Sequence, residues 1–456
     1  MSFTTTHQLP FASDHVWAWH TRPGALIRLT APFGFATAEK QTTDLRAGTS
    51  VLRMAPSAYS VFFPGGFPWV ARHVPEAYVE GQQFADEFDS SGLPVPFTWT
   101  HVHRFTRVDE ATTRLTDSVN TPIPGRFLRP IFAYQQQLLQ DLLSEQRLAP
   151  LAPDHRLTIA ITGSHGLVGK ALAAQLGTLG HRVIPLVRGE ATVGERHWDL
   201  LNPTPDLLRG VNALIHLAGE TIFGRFTENH QRAIMESRVG PTEKLADVVA
   251  HTDSVRVMVS GSAIGFYGAD RGDEPVTEDA ARGEGFLADV AEAWENATLP
   301  AQAADHVRVV NLRTGVVLAG AGGMLPLLKL AFSTGFGGPL GGGAPWLSWI
   351  ALDDLTDLII RAVYDDTLTG PLNAVAPHAV QQREFASTLG TVMKRPAVLP
   401  IPDFGPKVLL GADGARELAL ANQHVLPTKA EEAGHQFRYP TLEAALRHEL
   451  GHESLA

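Results

Sequence analysis

The sequence contains no cysteine. Disulfides, thiolate nucleophiles, iron–sulfur clusters and Cys-based zinc sites are therefore excluded together. A cysteine-free chain fits a reducing compartment, and a cytoplasmic location is expected. An excess of positive charge is missing too: 37 Lys and Arg stand against 48 Asp and Glu, a net charge of −11. Such a chain repels phosphate backbones and anionic lipid, so neither nucleic acid nor membrane is expected as a partner. A local basic pocket for one dinucleotide remains compatible with that balance. No run of about 18 apolar residues occurs, so no spanning helix is expected. The opening MSFTTTHQLPFASDHVW lacks a basic stretch followed by an apolar one, so no signal peptide is expected either.

What the chain has is length and apolar material. Its 456 residues are 44% hydrophobic and 19% charged, the balance of packed soluble domains. Single cores stop growing near ~250–300 residues, which predicts two or three domains.

Residues 1–150 read as strands closed by a helix. In the stretch 97–105, Phe97, Trp99, His101, His103 and Phe105 share one face, and Thr98, Thr100, Val102 and Arg104 the other. A second strand follows at Thr112–Val119. Ile131, Tyr134, Leu138 and Leu142 then recur at helical spacing. Strands followed by a long amphipathic helix predict α+β packing, the sheet curling around the helix. The Ala-Pro-Leu-Ala-Pro-Asp stretch at 149–154 reads as a hinge.

From Arg156 short apolar runs alternate with helical patterns: Leu157–Thr162, Val183–Val187, Ala213–Leu217, Val255–Ser260 and Val307–Leu312. Such runs suit parallel strands buried on both faces. Gly169–Leu179 and Gln231–Ala250 suit crossover helices. The predicted fold class is α/β, a Rossmann-type doubly wound parallel sheet over about 155–370, preceded by the α+β domain. Residues 371–456 form a mixed segment ending in a helix near Thr441–Leu450.

The strongest motif is Thr162-Gly163-Ser164-His165-Gly166-Leu167-Val168-Gly169, placed after a strand and before a helix. Gly163 permits a tight turn, Gly166 lets backbone N–H groups approach a pyrophosphate, and Gly169 lets the helix pack on the strand. Residues 163–168 are therefore expected to bind a dinucleotide. Cofactor choice is read at the end of the second strand, where NAD sites carry an acid for the ribose hydroxyl. Here Val187 and then Arg188 stand in that place. A missing acid beside a guanidinium favours NADP(H) over NAD(H). The bland alternative is that Arg188 is a solvated loop charge.

Three groups of residues carry a resemblance. They are Gly163-x-x-Gly166-x-x-Gly169, Leu217-Ala218-Gly219, and Ser260 through Gly268. Together they are similar to the extended short-chain dehydrogenases/reductases. Ala218-Gly219-Glu220, Glu236-Ser237-Arg238-Val239, Ala293-Trp294-Glu295 and Leu347-Ser348-Trp349-Ile350 narrow this. They resemble the atypical epimerase-like family often labelled nucleoside-diphosphate-sugar epimerase, over about residues 156–450. The resemblance implies that Leu217, Ala218 and Gly219 line the cofactor and that a small-molecule substrate such as a sugar nucleotide is processed. It also implies a Ser–Tyr–Lys apparatus, in which Lys lowers the Tyr pKa and Tyr moves a proton.

The chain departs from that pattern. Ser262 stands in the serine place, but Phe286 and Val290 occupy the Tyr and Lys places. The catalytic expectation therefore falls on Ser262 and on Tyr267, the nearest phenol in sequence. Glu220 is a further candidate, and packing or bridging are the plainer readings of Tyr267 and Glu220. Two functions follow: an NADP(H)-dependent oxidoreductase or epimerase-like enzyme, or a non-catalytic NADP(H)-binding sensor. The resemblance also implies that the glycine-rich 335–343 loop lies beside the substrate cleft; the plainer reading is a flexible surface connection.

The stretch Trp99-Thr-His-Val-His-Arg-Phe105, with its helix, resembles START/polyketide-cyclase helix-grip domains. That implies an apolar pocket and a small hydrophobic ligand. His101 and His103 could bind a metal, but no third ligand is apparent in the sequence. They are read as lining an aromatic cavity, with no metal expected. His448-Glu449-Leu450-Gly451-His452 matches a zinc-protease spacing but is rejected, because Gly451 should end the helix inside it. His448, opposite the Leu442/Leu446/Leu450 stripe, is expected in solvent.

Overall fold

The computed structural model describes residues 2–33, 36–54, 66–89, 98–335, 337–397, 399–402 and 404–455. Phe97, named above, and position 336 of the glycine-rich loop lie outside them. The chain divides into two compact units. One takes residues 1–150, 174–180 and 447–456, and the other 151–173 and 181–446.

In the first unit, β1 (Ser2–Leu9) is followed by α1 (Ser13–Thr21) and α2 (Ala25–Leu29). Then come β2 (Ala36–Lys40), β3 (Thr49–Met54), β4 (Phe67–His73), β5 (Gln83–Phe88), β6 (Thr100–Arg107) and β7 (Thr113–Asn120). The strands form one antiparallel sheet in the order β1-β7-β6-β5-β4-β3-β2. Alternation in β6 is as its sequence demands: His101, His103 and Phe105 are buried while Arg104 is exposed. The strand begins at Thr100, so Trp99 precedes it. The single closing helix expected from periodicity is two, α3 (Gly125–Gln135) and α4 (Gln137–Leu148). Their apolar stripe runs across the break, with Tyr134, Leu138 and Leu142 all buried. Arg28 of α2 donates from Nε (2.8 Å) and a terminal nitrogen (2.6 Å) to Asp141 of α4, both side chains buried.

The second unit carries β8 (Thr158–Thr162), β9 (Arg182–Val187), β10 (Arg196–His197), β11 (Ala213–His216), β12 (Val257–Ala263), β13 (Asp270–Val276) and β14 (Arg308–Thr314). Between them lie α5 (Leu167–Thr178), α6 (Glu228–Glu236), α7 (Val239–Ala250) and α8 (Phe286–Asn296). The parallel sheet runs β10-β9-β8-β11-β12-β14 and takes its last strand from Gly370–Ala374. That strand straddles the boundary expected at 370. β13 leaves the sheet and pairs with Asn422–Val425. Ile159, Ala160 and Ile161 of β8 are completely buried, which is why the strand reads as an unbroken apolar run. From β8 the chain goes one way to β9 and the other way to β11. This reversal opens a crevice at the carboxyl ends of the strands, where open α/β sheets take ligands. Among the described residues no helix is long and apolar enough to cross a membrane.

Candidate functional site

The chain leaves β8 through Gly163, whose φ of +69° lies in the left-handed region that side chains avoid. The Gly166 N–H donates to the Gly163 carbonyl at 2.9 Å, closing the turn, and α5 begins at the next residue. A Cβ on Gly169 would stand 2.2 Å from the Gly163 oxygen, so glycine there lets the helix rest on the turn. The N-terminal end of α5, with its unpaired N–H groups, thereby faces a cavity of about 250 Å³ lined by Gly163, Gly166, Leu167, Val168 and Leu217. Ser164 is 6% exposed, and its buried Oγ has no hydrogen-bond partner among the described residues. Leaving such a group unsatisfied costs about 1–3 kcal/mol, which a phosphate oxygen would relieve. Glycine cradle and helix terminus together fit a pyrophosphate, and the unpartnered Ser164 hydroxyl lies in the same turn.

The other expected cofactor residues are placed as follows. His165 is exposed beside the turn, its Nε2 3.3 Å from Glu195 Oε1. Arg188 is exposed in the bend immediately after β9. Leu217, Ala218 and Gly219 follow β11. Thr162 Oγ1 accepts from the N–H groups of Leu217 and Ala218, both at 3.1 Å, and so ties the two loops together.

That hydroxyl has one proton to give, and it donates to His216 Nδ1 at 2.8 Å. His216 Nε2–H in turn donates to Thr242 Oγ1 of α7 at 2.8 Å, and Thr242 donates to the Arg238 carbonyl. The imidazole is completely buried. Burial, with the Arg238 guanidinium nearby, lowers its pKa to about 3. The unfolded side chain would bind a proton near 6.5. Stability from this group is therefore complete above pH 6.5 and is lost as pH falls, by about 1.4 kcal/mol per unit. Between pH 6.5 and 4.5 the loss should reach about 3 kcal/mol. Urea midpoints across that range should fall more steeply for the native chain than for His216→Gln. Equal slopes would assign the acid limb to other groups.

Ser262, one residue before the end of β12, stands on the cavity wall with Gly261 and Trp294. A Cβ on Gly261 would strike the Trp294 ring at 2.7 Å, so glycine there admits the indole. Ser262 Oγ donates to Glu295 Oε1 at 2.7 Å. Arg313 grips the same carboxylate with two bonds of 2.8 Å, from Nε to Oε1 and from a terminal nitrogen to Oε2. Its other terminal nitrogen donates to the Tyr267 hydroxyl at 3.0 Å, and Tyr267 donates to Asn373 Oδ1 at 2.7 Å. The guanidinium also lies 3.5 Å from the centre of the Phe266 ring.

Tyr267 thus belongs to the interior. It is completely buried, does not line the cavity, and its hydroxyl is engaged as donor and acceptor. Burial raises its pKa, which removes it further from proton transfer at neutral pH. Glu220 is exposed, and its backbone N–H donates to the Ser237 hydroxyl at 2.9 Å. Phe286 is half-buried against Phe226, and Val290 is buried, so the usual Tyr and Lys places hold packing groups. Glu295 and Arg313 were missed as site residues. A signal existed, since Arg313 follows the apolar run toward the end of a buried strand, and a buried cation needs a partner.

Elsewhere, the described part of the 335–343 loop has φ above zero at Gly335, Gly341, Gly342 and Gly343, and the Gly343 carbonyl accepts from Arg383 Nε at 3.1 Å. Gly451 ends the terminal helix, as expected, with φ +73°. His448 is not in solvent: it is 2% exposed, stacked on Tyr134 with Nδ1 3.1 Å from Glu453. A third potential metal ligand does stand near His101 and His103. It is Asp86 on the neighbouring strand, contrary to the reading from β6 alone.

Comparison with known proteins agrees with the fold. The NAD dependent epimerase/dehydratase family matches residues 159–371, and a domain of unknown function (DUF1731) matches 401–449. An epimerase family protein of Mycobacterium leprae is 37% identical over 298 residues, covering 64% of this chain and 95% of the relative. A crystal structure described as the nucleoside-diphosphate sugar epimerase from Corynebacterium glutamicum is 45% identical with a TM-score of 0.87, covering 100% of this chain and 91% of that one. The human epimerase family protein SDR39U1, solved with NADPH, is 30% identical with a TM-score of 0.61, covering 64% of this chain and 99% of that one.

Proposed function

The chain belongs to the NAD-dependent epimerase/dehydratase family, and from that premise we propose that it is an NADP(H)-dependent oxidoreductase or epimerase-like enzyme acting on a small molecule. The carrying observation is Ser262, a hydroxyl on the wall of the cavity that the glycine turn also lines, with its proton held by Glu295. Residues 163–168 hold the pyrophosphate, Leu217–Gly219 flank the cofactor, and Arg188 reads the 2′-phosphate. The NADPH in the human relative supports that preference. The nicotinamide, when bound, supplies or accepts a hydride. Ser262 offers its lone pairs to a substrate hydroxyl; as that proton reaches Oγ, the serine's own passes to Glu295. Arg313 positions the carboxylate, and Tyr267 acts only through Arg313. Sugar nucleotides are the first substrates to test, then simple carbonyl compounds. Ser262→Ala should lower turnover by about 100-fold or more while leaving NADPH affinity unchanged.

The second reading, a non-catalytic NADP(H)-binding sensor, is favoured by Phe286 and Val290, which carry no transferable proton. Tight NADPH binding with no turnover across the panel would select it. In either case we assign residues 1–150 to a helix-grip domain for a small hydrophobic ligand, supported by its order of one strand, two helices, six strands and two closing helices.

Arg188 decides the cofactor. A guanidinium bonds a 2′-phosphate with charge assistance, worth roughly 1.5–3 kcal/mol. Arg188→Ala should therefore weaken NADPH by about 10- to 100-fold and leave NADH unchanged. Because the residue is exposed, the difference should shrink as salt rises. Equal loss of both cofactors in titration would mean that Arg188 holds the loop instead.

A further inference from the structure

The antiparallel sheet brings together four side chains that the sequence keeps apart. Asp86 of β5 pairs directly with His101 of β6, and His103 of β6 pairs directly with Asp117 of β7. Residues directly opposite, and residues two apart on one strand, share a face of the sheet. The four polar groups therefore meet on the buried face.

We propose that Asp86, His101 and His103 form a binding site for one divalent transition-metal ion of the zinc or iron(II) kind, with Asp117 orienting both imidazoles. His101 Nδ1 is 3.9 Å and His103 Nε2 4.0 Å from Asp86 Oδ2, and the three potential ligand atoms all lie within 4.8 Å of one another. Ligands at about 2.0–2.2 Å from a tetrahedral ion stand roughly 3.3–3.5 Å apart, so small side-chain rotations close the site. The opposite ring nitrogens meet Asp117. Its Oδ1 is 3.2 Å from His101 Nε2 and 2.7 Å from His103 Nδ1. A carboxylate behind a histidine fixes the tautomer, so the nitrogen facing the ion carries the lone pair. Here Asp117 hydrogen-bonds His101 Nε2, and the same oxygen lies 2.7 Å from His103 Nδ1, within reach of a small ring rotation.

The surroundings fit the same reading. The side chains of His101 and Asp117 are 8% and 4% exposed, and those of His103 and Asp86 11% and 16%. Phe84 stacks on His103 at 4.3 Å between ring centres, and Phe132 sets its edge against His101 at 5.3 Å. The two imidazoles are themselves only 3.9 Å apart. Two imidazolium ions at that spacing would repel strongly, whereas neutral rings sharing a cation would not. Two histidines and one carboxylate are the donor set of open sites with coordination positions left for water or a small ligand. The chain has no thiolate to compete.

The test uses the full-length chain after dialysis against chelator, titrated separately with Zn²⁺, Co²⁺ and, without oxygen, Fe²⁺. Saturable binding of one ion per chain is expected, with Co²⁺ giving visible ligand-field bands. His101→Ala and His103→Ala should abolish it, and Asp117→Asn should weaken it by about 10- to 100-fold. NADPH affinity should be unchanged in all variants, which shows the second unit intact. Circular dichroism checks the first unit, and His101→Gln replaces any alanine variant that unfolds. Absence of saturable binding of all three ions to the native chain would overturn the proposal. So would binding that survives removal of either histidine in a folded variant.

Discussion

A chain carrying Gly166→Leu is expected to fold and to lose dinucleotide binding. A Cβ at Gly166 meets only the Gly163 oxygen, at 3.2 Å, a contact that slight movement relieves. The rest of the leucine side chain would occupy cavity space in front of the α5 terminus. It would keep a pyrophosphate away from backbone N–H groups and from Ser164. Losing two charge-assisted hydrogen bonds at roughly 1.5–3 kcal/mol each predicts a fall in NADPH affinity of about 10²- to 10⁴-fold. Gly169→Val should behave differently. Its Cβ would stand 2.2–2.8 Å from backbone atoms of Gly163 and Ser164, which cannot move aside, so stability falls as well. Calorimetric titration of Gly166→Leu showing native affinity would place the dinucleotide elsewhere.

The second large effect is expected at Arg313. Its side chain is 4% exposed and that of Glu295 12%. Arg313→Met keeps the length and removes the charge, leaving a mostly buried carboxylate with only the Ser262 proton. Breaking a buried pair from one side costs about 3–5 kcal/mol. The Tyr267 hydroxyl and the Glu278 carbonyl lose donors in the same step. Adding Glu295→Gln should recover part of the loss, because the unpaired charge disappears. Denaturant midpoints of the two single variants and the double variant measure this. If the double variant is no more stable than Arg313→Met, packing on Phe266 rather than charge pairing is what Arg313 contributes.

The parts that were legible in the sequence are those whose cause is local. A strand buried on both faces must be largely apolar, so β8 and β11 could be read directly, as could the apolar stretches of β9, β12 and β14. A turn that needs φ above zero and a close helix contact must use glycine, so 163–169 declared itself. Alternation placed His101, His103 and Phe105 on one face of β6 because strand geometry has a period of two.

What failed depended on which side chains meet. Tyr267 is five residues from Ser262, yet the chain turns through Ile264–Tyr267 and carries the phenol into the core. His448 lies opposite a leucine stripe and should have been wet, but Tyr134 covers it. Glu295 and Arg313 are 18 residues apart on a helix and a strand, and only the packing of α8 on the sheet joins them. Asp86 enters the histidine cluster through strand register alone; a shift of one residue would turn it to the other face. Sequence by itself determined the main strand segments of the parallel sheet and the glycine turn after β8, because steric limits and hydrophobic period act over a few residues. Tertiary structure decided which buried charges pair and which hydroxyl faces the cavity, because those depend on register and on contacts between segments far apart in the chain.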